Sequence, residues 1–198
     1  MNKIWDSFRD KRWFLVFSLT LFFAGGIAGY IIFWNDPSLI LTNIEKFLGN
    51  ILKIGKAMED KSNLHVVGLI FQNNVKALIL IIFGGIAFGI LPFFGILFNG
   101  FVVGLVLAMS IYEGQSIALF LAAMLPHGIL ELPTILMGGA FGLKTGFDLI
   151  FPKTHSRIGL LKENLSNSLL ALGILVPSLF IAAGIETLIT PNIAKMFI

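Results

Sequence analysis

Cysteine is absent from this 198-residue chain, tyrosine occurs twice, and charged residues make up only 13%. Without cysteine there are no disulfides, thiolate nucleophiles or thiolate metal ligands. The scarcity of charge excludes a soluble globular domain, because 11 acidic and 14 basic side chains are too few to coat a water-facing surface. No basic cluster is interleaved with aromatics, so the formal charge of +3 marks loops near a membrane, and no nucleic-acid partner is expected.

What remains is apolar. Hydrophobic residues are 57% of the chain, with 20 Phe and 21 Gly, and the mean hydropathy is +0.92. These values predict an all-α, polytopic transmembrane bundle forming a single membrane domain over residues 1–198. Trp13 to Trp34 gives 22 residues without a charge, about 33 Å of helix with a Trp at each end, so the first span covers 13–34. A cleaved signal peptide is the competing reading, but its apolar region is shorter, about 7–15 residues.

From Ala77 to Tyr112 there are 36 residues without a charge or a histidine. That is too long for one span and enough for a hairpin turning at Leu91-Pro92-Phe93, with arms over 74–91 and 95–112; the amides of Asn73 and Asn74 suit the start of the first arm. The fourth segment, 116–143, has 28 residues, about 42 Å if continuous against a hydrocarbon thickness of about 30 Å. Pro126, Gly128 and Pro133 predict that this helix is broken. The fifth span covers 165–189.

Short basic segments set the orientation. Lys3, Arg9, Lys11 and Arg12 precede the first span, and Lys144, Lys153, Arg157 and Lys162 lie between the fourth and fifth. Both segments belong on the cytoplasmic side, so five spans place the N-terminus inside and the C-terminus outside a cell membrane. A re-entrant fourth segment would move one basic loop outside and is disfavoured.

Between the first two spans, over about 38–60, Ile40, Ile44, Phe47, Ile51, Ile54 and Met58 recur at alternating spacings of four and three, which predicts an amphipathic outer helix. Asp36-Pro37 suits its start. Its stripe lies on the membrane or on the bundle, or else offers a docking surface for a partner. Glycine pairs four residues apart occur at Gly25 and Gly29, Gly85 and Gly89, Gly100 and Gly104, and Gly138 and Gly142, positions that let helix backbones approach closely within one chain.

The intramembrane polar residues are Lys76, Asn99, His127, Glu131 and Glu186, with Asn73 and Asn74 at the edge. An ionised group near a bilayer centre costs roughly 3 kcal/mol on insertion scales, so such groups have a partner and a task. On a helix, His127 and Glu131 fall one turn apart on one face. Three readings stay open: a structural hydrogen-bond network, a proton or cation site of the kind found in transporters, and a catalytic or metal role. The last is disfavoured because a metalloprotease helix needs a second His one turn away with the Glu adjacent to the first. No Ser-His-Asp set or phosphate-cradling loop can be assembled, so neither enzymatic activity nor a cofactor or metal site is expected.

At Phe71-Gln72-Asn73-Asn74, Asn99-Gly100, Leu125-Pro126-His127-Gly128-Ile129-Leu130-Glu131-Leu132-Pro133 and Ala182-Ala183-Gly184-Ile185-Glu186, the chain resembles the stage II sporulation protein M family of integral membrane proteins. In spore-forming bacteria the resemblance implies a scaffold that, with a second membrane protein, localises cell-wall hydrolases during engulfment. Members also occur in organisms that form no spores. The resulting expectation is a non-enzymatic membrane scaffold that recruits other membrane proteins or a second copy within the bilayer. The alternative is a transporter or channel with a proton, cation or polar-solute site at the His/Glu cluster.

Overall fold

The computed structural model describes residues 9–152 and 156–197, except for the side chains of Asn50, Ile51, Glu59 and Asp60. Lys3, Lys153 and the stripe residue Ile51 therefore lie outside the described residues. All regular structure in the described residues is helical: α1 (Arg12–Asn35), α2 (Pro37–Thr42), α3 (Ile44–Asp60), α4 (Asn63–Phe83), α5 (Ile90–Tyr112), α6 (Ile117–Ile150), α7 (Arg157–Leu188) and α8 (Thr190–Ala194). Among them α1, α4, α5, α6 and α7 are long and apolar enough to cross a bilayer. The outward faces suit lipid: Ile27, Leu80, Phe94, Ile129 and Phe180 are all exposed.

Glycine dictates the tightest contact, between α1 and α5. A Cβ at Gly25 would overlap the Leu97 carbonyl, one at Gly29 the Phe101 carbonyl, one at Gly100 the Phe22 carbonyl and one at Gly104 the Gly26 carbonyl. Contact positions advance together along both helices, so α1 and α5 run parallel, backbone against backbone. Their far ends are joined by aromatic packing, with Phe33 and Tyr112 ring centroids 5.5 Å apart and Trp34 and Tyr112 6.0 Å apart. Gly85, Gly89, Gly142 and Gly146 seat the α4–α5 connection on α6, where a Cβ at Gly85 would strike Gly142 and one at Gly146 would strike Gly89, while Gly138 faces the Leu78 side chain of α4.

That connection corrects the expected hairpin turn. The chain reverses at 84–89, through a 3₁₀ turn at Gly84–Ile86 and positive φ at Phe88 (54°) and Gly89 (79°), not at Leu91-Pro92-Phe93. Pro92 sits in the first turn of α5, where no intrahelical N–H is needed. Correspondingly, α4 starts at Asn63 and buries Asn74 in its interior, so the Asn73-Asn74 pair is not a helix start. The span expected over 165–189 likewise begins earlier, at Arg157.

The fourth segment is a second correction: α6 is one helix of 34 residues containing both Pro126 and Pro133. Each proline removes one backbone donor, leaving the Ala122 and Ile129 carbonyls without their partners four residues on. Thr134 Oγ1 donates to the Leu130 carbonyl at 2.7 Å beside the second proline. Gly128 makes no close backbone approach, and a Cβ there would meet open space.

Asp36 caps α2, accepting from the Leu39 N–H at 2.9 Å and from the Ser38 hydroxyl at 2.7 Å; these bonds hold its carboxyl below the usual carboxylate range. The amphipathic α3 then lies across one end of the bundle. Ile40 and Leu48 are buried with Phe33, Leu105 and Ala108, and Ile44 and Phe47 pack on that group. Ala57 is buried against Val66, Val67, Ile70 and Ala183, with Ile54 beside them. Ile40, Ile44, Phe47 and Ile54 are thus packed on the chain's own helices, and among the described docking residues only Met58 is exposed.

Candidate functional site

The polar residues of three helices converge below α3. His127 and Glu131 project from one face of α6, separated by one turn, and Glu186 comes from the last turn of α7. One ligand atom from each lies within 4.8 Å of the other two. From α4, Asn74 Nδ2 donates to Glu131 Oε2 at 2.7 Å, and Asn73 Nδ2 donates to Asn74 Oδ1 at 3.3 Å. The two amides form a short relay that fixes the Glu131 carboxyl group. His127 Nδ1 is buried and has no hydrogen-bond partner among the described residues.

These groups line a cavity of about 410 Å³ that also touches Asn99, Val103, Met124 and, near the α5–α6 connection, Ser110 and Gln115. A smaller space of about 70 Å³ continues past Asn99, His127 and Glu131 to Phe22, Gly128 and Leu132. No lysine or arginine is among the residues lining the larger cavity. Two carboxyl groups thus share a site with an imidazole, without a lysine or arginine among the described lining residues.

Of the expected site residues, Asn73, Asn74, Asn99, His127, Glu131 and Glu186 meet at this cavity. Asn99 donates to its own Gly95 carbonyl at 2.8 Å, not to a carboxylate. Lys76 is exposed on the outer face of α4 and takes no part.

A second polar cluster, read in the sequence only as orientation charges, ties the opposite end of the bundle. Lys144 Nζ lies 2.7 Å from Asp148 Oδ2 and 3.7 Å from Asp10, and Asn164 of α7 donates to Asp148 at 2.9 Å. Lys11 is 1% exposed, with Nζ 4.5 Å from the Phe141 ring centroid. Burial lowers its pKa, opposed by neighbouring Asp10. Only the Lys144–Asp148 spacing, i and i+4 on one helix, could be read from sequence; the rest depends on tertiary contact.

The fold and site define a helical membrane protein with a polar cavity inside the bundle. The chain belongs to the stage II sporulation protein M family, whose sequence profile matches residues 18–191. It is similar to two uncharacterized proteins of Methanocaldococcus jannaschii. One is 29% identical over 188 residues, covering 91% of this chain and 95% of the relative. The other is 29% identical over 197 residues, covering 95% and 86%. No solved structure matches the chain.

Proposed function

We propose that this protein binds a small cation or polar solute at the His127, Glu131 and Glu186 cluster and carries it into or across a cell membrane. The observation that supports this is the cavity of about 410 Å³ reaching two carboxylates and an imidazole that no lining cation neutralises. A purely structural network would saturate its donors and acceptors and fill the space around them. Orientation rests on the positive-inside bias: the Lys11 and Lys144 end faces the cytoplasm, and the cavity, α3 and the C-terminus face outward. No bond-making chemistry is needed in this reading. Proteoliposomes holding the chain, probed with a trapped pH dye and with Rb⁺ and Mn²⁺ uptake, should move at least one of these ions. Glu131→Gln should abolish that flux while leaving the fold intact. A parent protein that moves none of them would contradict the proposal.

The second reading is the scaffold, supported by family membership and by the row Lys46, Lys53 and Lys56 exposed on the polar face of α3. Because the apolar stripe is used within the chain, recruitment of another membrane protein or a second copy would proceed through this polar face. Crosslinking from a cysteine at Lys53 should then trap a second polypeptide in native membranes; capture of lipid alone would count against it.

A further inference from the structure

Resting on the reading of the cavity as a cation site, we propose that His127, Glu131 and Glu186 form a binding site for a first-row divalent transition metal ion. Sequence spacing alone disfavours a metal, because no second His stands one turn from His127 with a Glu adjacent to the first. The fold supplies the third ligand from α7, 55 residues beyond Glu131 (186 − 131).

Distance, charge and donor type agree. Ligand atoms bound to one ion at about 2.0–2.2 Å lie about 3.4 Å apart in tetrahedral geometry, so atoms now within 4.8 Å of one another need to close by roughly 1.4 Å at most, shared among three side chains. Two carboxylates match the charge of a divalent ion, and the lining provides no competing lysine or arginine. Imidazole with carboxylate oxygens favours manganese, iron, cobalt or zinc over magnesium and calcium, which take oxygen ligands throughout.

A separate observation comes from the imidazole itself. His127 Nδ1 is buried without a partner, a costly state for a ring nitrogen unless a ligand completes its coordination or sets its tautomer. Asn74, bonded to Glu131, plays the outer role usual around metal ligands, orienting a carboxylate without touching the ion. Three protein ligands leave positions for water from the cavity, the pattern of a site that exchanges its contents, not one closed for structural purposes. The other carboxylate cluster, Asp10 and Asp148, is already neutralised by Lys144 and offers no such vacancy of charge.

Titration of the purified full chain in detergent micelles with Co²⁺, followed by the visible absorption of the bound ion, tests the site. One Co²⁺ should bind per chain, Zn²⁺ should displace it, and a roughly hundredfold excess of Mg²⁺ should not. His127→Gln and Glu186→Gln should each weaken Co²⁺ by more than about tenfold, the effect expected even of outer-sphere changes, whereas Glu163→Gln, exposed near the opposite end of α7, should leave it unchanged. If a variant fails to fold, the parent chain decides: bound Co²⁺ should slow chemical acylation of His127 but not of exposed His65. Absence of stoichiometric Co²⁺ binding, unaltered affinity in a folded Glu186→Gln variant, or equal affinity for Mg²⁺ overturns the metal assignment. Labelling of a cysteine at Met124 by an impermeant thiol reagent separates the two levels. Labelling without Co²⁺ binding overturns the metal and leaves the open cavity standing; loss of both removes the reading beneath it as well.

Discussion

Asn74 is the residue on which the geometry of the site turns. It is buried in the interior of α4, where an asparagine side chain would otherwise be a desolvated liability, and it spends its amide on Glu131 at 2.7 Å. Asn74→Ala leaves that carboxylate oxygen without its donor, and the expected cost is about 1–3 kcal/mol, since the loss strands a buried acceptor. Thermal unfolding in micelles should show a lowered midpoint for Asn74→Ala and little change for Asn99→Ala, whose amide satisfies only its own helix carbonyl. At this scale the sequence was legible in part. The pairing of His127 with Glu131 follows from helical spacing alone, because one turn brings positions i and i+4 together. Asn73 and Asn74 stand out as polar members of the set, yet local pattern places them at a helix start, since an exposed amide and a buried one look identical in sequence. That Glu186 meets Glu131 depends on how α7 crosses α6, which no local pattern encodes.

Helix by helix, the glycines divide into two kinds that sequence does not distinguish. Gly25 faces the Leu97 carbonyl so closely that a methyl group would overlap backbone, while Gly173 has nothing within reach of an added Cβ. Gly25→Ala should therefore separate α1 from α5 and cost at least the roughly 1–3 kcal/mol of overpacking, because no rotamer change relieves a backbone clash. Gly173→Ala should be neutral or stabilising by up to about 1 kcal/mol through helix propensity. Paired unfolding curves of the two variants check this, and equal responses would contradict the parallel α1–α5 contact. Prolines 126 and 133 signal a break, yet α6 runs through both, since each removes only one backbone donor and the rest of the helical ladder stays in place. The apolar stripe predicts the amphipathic helix that α3 forms, but periodicity gives the face and not what covers it.

In the molecule as a whole, the number of candidate spans follows from composition and run length, and the family from a handful of short motifs. The cavity was not legible, because it is the space left where α4, α5, α6 and α7 diverge beneath α3, and space has no residue code. Its polar lining and its enclosing helices nevertheless support the proposed reading, a site for a positively charged or polar guest, in a bundle whose far end is tied by the Lys144–Asp148–Asn164 contacts.

The most direct test is chemical access to the depth of that cavity in an otherwise cysteine-free chain. A cysteine at Met124, three residues before His127 and lining both cavities, should react with a membrane-impermeant thiol reagent in right-side-out vesicles. A cysteine at Leu80, exposed on the outer face of α4, should not react because lipid covers it. Reaction at Met124 without reaction at Leu80 is the predicted result; an unreactive Met124 position in folded protein, or labelling of both sites alike, would contradict a water-reached polar site inside the bundle.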